Sequence, residues 1–314
     1  MTLAQRLAFA TAGLTLILVG IGAYVRATGS GLGCPDWPTC HGGVVPPGSR
    51  HSIIEYSHRF TASLVGLMVI AVAIAAWRSY RHVPVILWTA IAVVPLVGFQ
   101  GILGAITVKQ ELPPEVIASH LVTAMVVFSL ELLVAFGMAL QDRTDGGRLR
   151  QGEAAARRTI GLWALAAIAW LAVVVWIGGY MAESGATTAC SGWPACNGSI
   201  LPGNNSQEIT HMAHRFLAGG LVFLIAPYVV VTWRRRKLVP WAASAAVLTG
   251  ALYVVQVAVG AVNVLFTFPD LLTVSHTLIA ASVWGSLASG AALAFFSPVT
   301  VHREQTVIGR GVPA

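Results

Sequence analysis

The sequence predicts an all-α membrane protein. Its eight transmembrane helices form two tandem four-helix bundles related by a pseudo-twofold axis along the membrane normal. Three observations carry this reading. The 314 residues are 56% hydrophobic and only 10% charged, with a mean hydropathy of +0.75, whereas a soluble domain carries about 25% charged residues. Apolar runs of about 20 residues, long enough to cross a bilayer, recur along the whole chain. A single offset of 156 residues superimposes the second half of the sequence on the first, as Cys34 and Cys190 illustrate. The composition excludes an ordinary soluble globule. It equally excludes a disordered chain, which needs low hydrophobicity and high charge.

The apolar stretches run at 4–25, 55–77, 83–108, 115–140, 159–181, 211–233, 238–265 and 271–296. The first continues into Tyr24-Val25-Arg26 without a clear cleavage site, so it reads as a retained helix rather than a signal peptide. An even number of spans puts both termini on one side. Of the 19 Lys and Arg, five fall in or beside the odd-numbered loops: Arg26, Arg50, Arg59, Lys109 and Arg215. The remainder, including Arg143, Arg148, Arg150, Arg157, Arg158 and the run Arg234-Arg235-Arg236-Lys237, lie at the termini and in the even-numbered loops. The positive-inside bias therefore predicts cytoplasmic termini in a multi-pass protein of the cell membrane. The same bias accounts for the net charge of +7. Membrane lipid is the expected partner, and nucleic acid is not.

The repeat is dense. It pairs Tyr24 with Tyr180, Trp37 with Trp193, Cys40 with Cys196, Gly42 with Gly198, His58-Arg59 with His214-Arg215, and Gln100 with Gln256. It also pairs Gly104 with Gly260, Pro113 with Pro269, and Ser119-His120 with Ser275-His276. The expected organisation is an N-terminal half at 1–145, a cytoplasmic linker at 146–158 and a C-terminal half at 159–314. Each half holds an even number of helices, so both have the same orientation and the axis lies along the membrane normal.

Cys34, Cys40, Cys190 and Cys196 all fall in outer loops, facing an oxidising compartment. An even count at repeated spacing predicts two disulfides, each within its own loop. A zinc site of Cys34, Cys40 and His41 is the weaker alternative, since Asn197 follows the second pair. His58, His120, His214 and His276 lie near the outer ends of the second, fourth, sixth and eighth helices. Ionisable groups within spans are functional candidates by default. A single such histidine is more often a helix-packing residue, but two per bundle at matching depth suit axial ligation of one haem between helices. Zinc wants about four ligands. His41, His51, His82 and His302 read as solvated loop or tail residues. Arg59 and Arg215 are candidates for haem propionate contacts or for snorkelling to headgroups. Gln100 and Gln256 read as interhelical hydrogen-bonding residues.

The halves differ at one place that bears on chemistry. Glu55 precedes His58 by three residues on the same helix face, whereas His211 takes its place before His214. One half therefore reads as catalytic and the other as electron-carrying. The bland alternative is a Glu55 exposed in a first helical turn, where the dipole favours it. Glu131, whose counterpart is Leu287, reads as a polar packing residue or a member of a proton path.

Together, Glu55-x-x-His58-Arg59, Ser119-His120, His211-x-x-His214-Arg215, Ser275-His276 and the paired loop cysteines resemble the haem A synthase family over nearly the whole chain. The resemblance implies that His214 and His276 ligate a permanent haem b. It implies that His58 and His120 flank the substrate haem O, with Glu55 as the catalytic carboxylate. The implied reaction oxidises a methyl group of haem O to the formyl group of haem A, with oxygen from water, for haem-copper oxidase biogenesis in a bacterial cell membrane. It makes the Cys34–Cys40 pair a candidate redox participant. Implied partners are an electron acceptor, haem O synthase, cytochrome oxidase assembly factors and a second copy of the chain as homo-oligomer. Two other classes remain at this point. A non-enzymatic dihaem cytochrome would leave Glu55 idle and would need haems near opposite faces. A transporter with parallel repeats would leave the four histidines unexplained.

Overall fold

A computed structural model describes residues 1–141 and 153–296. Arg143, Arg148, Arg150, His302, Arg303 and Arg310 lie outside the described residues, as does most of the expected linker. The described chain is helical, and its eight spans each have the length and apolarity to cross a membrane. They are α1 (Leu3–Ala27), α2 (Arg50–Ser79), α3 (Pro84–Lys109), α4 (Pro114–Gln141), α5 (Glu153–Glu183), α6 (Ser206–Gly220) with α7 (Val222–Arg234), α8 (Pro240–Leu265) and α9 (Asp270–Phe296).

Local chemistry sets the helix starts. Thr2 and Gln5 close a reciprocal capping box on α1. Ser49 caps α2 by accepting from the Ser52 N–H, and Asn205 caps α6 by accepting from the Gln207 N–H. Pro84 and Pro240 open α3 and α8, where a missing N–H costs nothing. Three spans begin five or six residues earlier than their apolar stretches: α2 at Arg50, α5 at Glu153 and α6 at Ser206. Residues 153–158, expected in the linker, are thus the first turns of α5, and His51 belongs to α2 rather than to a loop. The sixth span is broken at Leu221. Pro227 offers no N–H to the turn before it. Trp170 Nε1 donates to the Leu217 carbonyl (2.8 Å), and the Tyr253 hydroxyl donates to that of Ala218 (2.9 Å), next to the break. The counterpart of Pro227 is Ala71, and α2 runs through unbroken.

Within the first half α1 packs on α2 and α4, and α3 on α2 and α4. In the second, α5 packs on α6, α7 and α9, and α8 on α7 and α9. The halves meet where α4 contacts α5 and α9, and α1 contacts α9. A shift of 156 residues exchanges the α4–α5 and α1–α9 contacts and maps α4–α9 onto itself. Individual contacts behave alike. Trp284 Nε1 donates to Ser129 Oγ (2.6 Å), and the reciprocal pair is also in contact, because a Cβ on Gly285 would lie 2.7 Å from the Phe128 ring. Arg26 Nη2 donates to the carbonyl of Ala182 (2.8 Å), its own repeat partner, and Arg26 Nε lies 2.6 Å from Glu183. Such reciprocity is the mark of a twofold interface and is consistent with the expected axis. α4 and α9 are the most buried spans, whereas α3 and α8 are peripheral. Leu67, Trp88, Phe223 and Val254 point outward, the apolar exterior that a lipid-facing bundle presents.

Candidate functional site

The four histidines occupy matching depths. His58 is the ninth residue of α2 and His214 the ninth of α6, while His120 and His276 are each the seventh of α4 and α9. At 1.5 Å per residue they lie about 9–12 Å from the helix starts, and His58 and His214 are deeper than the single turn expected because α2 and α6 begin early. His58 and His120 are close enough to interact electrostatically, as are His214 and His276. The structure therefore brings the four together as two pairs, one per half.

Each imidazole lies against a glycine on a neighbouring helix. A Cβ on Gly178 would lie 2.9 Å from His214 Cε1, on Gly260 3.0 Å from His276, on Gly22 3.1 Å from His58, and on Gly104 3.8 Å from His120. The four glycines are two repeat pairs, and at Gly178, Gly260 and Gly22 even a methyl would crowd the ring. Gly104 and Gly260 stand out in the sequence only as members of the repeat. The cradle depends on interhelical distance, which periodicity does not encode.

These residues fit a haem held between helices. A ligating imidazole binds iron through one nitrogen and donates its other N–H to a fixed acceptor. His214 Nδ1 faces the Val174 carbonyl at 3.2 Å, and His58 faces the equivalent Leu18 carbonyl. The Nδ1 atoms of His58, His120 and His276 are buried without a completed hydrogen bond. Gln256 Nε2 lies 3.1 Å from His276 Nε2, so this interhelical contact sits at the ring nitrogen a metal would take. No group of three or more His, Cys, Asp or Glu is placed to hold a bare metal ion among the described residues. Two donors per site suit the axial positions of a porphyrin iron and fall short of a zinc shell.

Above each pair a loop is stapled by a disulfide, Cys34–Cys40 in the first half and Cys190–Cys196 in the second. The loops repeat in backbone detail. His41 and Gly42 have φ of 53° and 77°, and Asn197 and Gly198 have 50° and 89°. Glu55 falls in the second turn of α2 and is only 4% exposed, so it is not a solvated first-turn residue. One carboxylate oxygen accepts from the Cys34 N–H (2.6 Å), and the other pairs with Arg59 Nη2. Arg59 also donates to the carbonyls of Cys34, Asp36 and Thr39 at 2.6–2.7 Å. Arg215 donates to the Gly192 and Pro194 carbonyls (2.8 and 3.1 Å) and lies 2.9 Å from His211 Nε2. Both guanidinium groups, candidates for propionate contacts in the sequence, hold the carbonyls of the stapled loops. His211, with Nδ1 against the Ala186 carbonyl (3.0 Å), takes the place of the acid.

In the first loop Asp36 accepts from Thr39 Oγ1 (2.7 Å) and from the His41 and Gly42 N–H groups (2.7 and 2.6 Å). These bonds, that from Thr39 first, hold its pKa at about 2 against an ordinary 3.8. Gly192 stands at the equivalent position, and Asn197 organises the second loop by accepting from Ser191 and donating to the Ala189 carbonyl.

Comparison with known proteins agrees with this architecture. The COX15-CtaA family model, described as cytochrome oxidase assembly protein, matches residues 5–53 and 49–288. A haem A synthase of Alkalihalophilus pseudofirmus is 32% identical over 283 residues, 87% of this chain and 91% of that protein. That of Halalkalibacterium halodurans is 34% identical over 228 residues, 72% and 74% of the two chains. That of Symbiobacterium thermophilum is 31% identical over 297 residues, 90% and 93%. With the histidine pairs, the stapled loops and the repeat all in place, the chain belongs to the COX15-CtaA family of cytochrome oxidase assembly proteins.

Proposed function

We propose that this protein is a haem A synthase, an oxidoreductase that converts a methyl group of haem O to the formyl group of haem A. The observation that carries the reading is the one-sided site. Two histidine pairs lie in equivalent cradles, and among the described residues only the pair of His58 and His120 has a buried carboxylate above it. The relatives named for this activity cover most of the chain. Replacing three methyl hydrogens by one hydrogen and an oxygen from water releases four electrons and four protons, so the site needs a proton acceptor and an electron outlet.

The N-terminal half receives haem O, with His58 and His120 flanking its iron, and the C-terminal half holds haem b through His214 and His276. Haem b, when bound, supplies a one-electron redox centre on the same side of the membrane. Glu55 accepts a proton near the reacting rim. Arg59 holds its carboxylate and the Cys34 N–H orients it, so protonation is coupled to the clamp that fixes the stapled loop. His211 forms the matching clamp in the other half without an acid. Both termini lie in the cytoplasm, with the stapled loops on the opposite face, where Cys34–Cys40 is the disulfide next to the acid. The electron acceptor, haem O synthase, oxidase assembly factors and a second copy of the chain are the partners such a role calls for.

The test is co-expression with a haem O source, followed by chromatography of extracted haems. Haem A appears with the native chain. Glu55→Gln retains haem b and haem O, and its haem A formation falls by about 10²–10⁴, the usual effect of losing a general base. Near-normal haem A from this variant removes Glu55 from the chemistry, and haem b without any haem A from the native chain makes the protein an electron carrier.

A further inference from the structure

Glu131 is an acid inside the N-terminal half that the chemistry above does not use. It lies on α4 eleven residues beyond His120, about 16 Å deeper in the bundle. It is 5% exposed, and neither carboxyl oxygen has a hydrogen-bond partner. The side chain lines a small cavity with Ala8 and Thr11 of α1, Val72 of α2 and Ala90 of α3, with room for about one water molecule. No other residue lining it titrates. Thr15 Oγ faces the carboxyl from α1 and is itself buried without a partner. A buried acid left unpartnered is costly because its lost hydrogen bonds to water are not replaced, and a water with two to four polar neighbours relieves it.

The polar character continues in both directions along α1. Beyond Thr11, Gln5 Nε2 donates to Tyr80 Oη (3.2 Å) and to the Met138 carbonyl (3.0 Å), closing the end of the bundle opposite the disulfides. One turn beyond Thr15, the Leu18 carbonyl faces His58. The equivalent positions of the C-terminal half carry no such file. Gln5, Thr11, Thr15 and Glu131 correspond to Gly161, Ala167, Leu171 and Leu287, and the last three are fully packed. The half with the extra buried acid is also the half with Glu55.

We propose that Glu131, Thr11 and Thr15 form a hydrated proton-binding site, taking water and one exchangeable proton, that connects the His58–His120 site with the opposite end of the bundle. The proposal goes beyond the haem A synthase reading and is testable without turnover. Infrared spectra of the purified holoprotein in H2O and D2O should contain a carboxyl C=O band that shifts on deuteration and is missing from Glu131→Gln. Thr11→Val and Thr15→Val, which retain the acid, should move this band and slow its deuteration several-fold. Haem b content stays at the native level in all three, and haem A formation falls in Glu131→Gln. A band that survives Glu131→Gln, that ignores D2O, or that neither threonine variant affects overturns the site and makes Glu131 a dry packing residue. Absence of haem A from the native chain, with the exchangeable band present, would reject the enzymatic reading and leave this site standing.

Discussion

Ring positions are set by what is missing from the neighbouring helix. The four cradle glycines differ in clearance, and this orders their sensitivity. Gly178→Ala places a methyl 2.9 Å from His214 Cε1, tighter than carbon contacts allow, whereas Gly104→Ala leaves 3.8 Å, ordinary van der Waals contact. Gly178→Ala should therefore lower haem b per protein severalfold in extracted haems, and Gly104→Ala, in the other pocket and with ordinary clearance, should leave haem O bound near the native level. Native haem b in Gly178→Ala would mean that His214 does not hold the haem in this position. The histidines themselves were legible from their repeat spacing and membrane depth. Their supports were not, since a glycine in a span gives no sign of which ring will lie against it. Arg59 and Arg215 were visible as charges, but their loop carbonyls became apparent only once the staples had folded the loops over them.

Among the elements, the first stapled loop depends on an anion that the second does without. Asp36, with its pKa held at about 2 by the Thr39, Gly42 and His41 donors, favours the folded loop as the carboxylate. This contribution is complete above the ordinary value of 3.8 and is lost as pH falls through about 2. Protection of the His41 and Gly42 amides, taken against their intrinsic exchange rates at each pH, should fall over that window, and Asp36→Asn should lack that protection already at neutral pH. The Asn197 loop, organised by a neutral amide, should change less over the same range. A first loop indifferent to both acid and Asp36→Asn would remove Asp36 as its organiser. Spans were easily read from hydropathy, but their starts were not. The first turns of α2 (Arg50-His51-Ser52) and α6 (Ser206-Gln207-Glu208) are polar, so they extend the helices without extending the apolar signal. The break at Leu221 was hidden for the opposite reason: Pro227 lies in an apolar run, and the side chains that serve the adjacent carbonyls come from α5 and α8.

At the scale of the molecule, the offset of 156 residues revealed the duplication, the number of histidine sites and their shared side of the membrane. What it left open was how the halves face each other, because that depends on side-chain shape along α1, α4, α5 and α9. The division of labour gives the test at this scale. His214→Ala or His276→Ala should abolish resident b-type haem in the optical spectrum. His58→Ala or His120→Ala should leave most of it while stopping haem A formation. The reverse pattern would exchange the roles of the halves.

The reciprocal seam also bears on how such a molecule can arise. Since α4 meets α9 across contacts that map onto themselves, each half offers its partner the same face it receives. A chain of half the length, carrying one histidine pair and one stapled loop, would close on its own copy as a symmetric dimer with two identical pockets. In that dimer every substitution strikes both pockets at once, so an acid gained for catalysis appears also where only an electron carrier is wanted. Covalent fusion removes this constraint. Glu55 can stand opposite His211, and Glu131 opposite Leu287, only because one polypeptide encodes the two pockets separately.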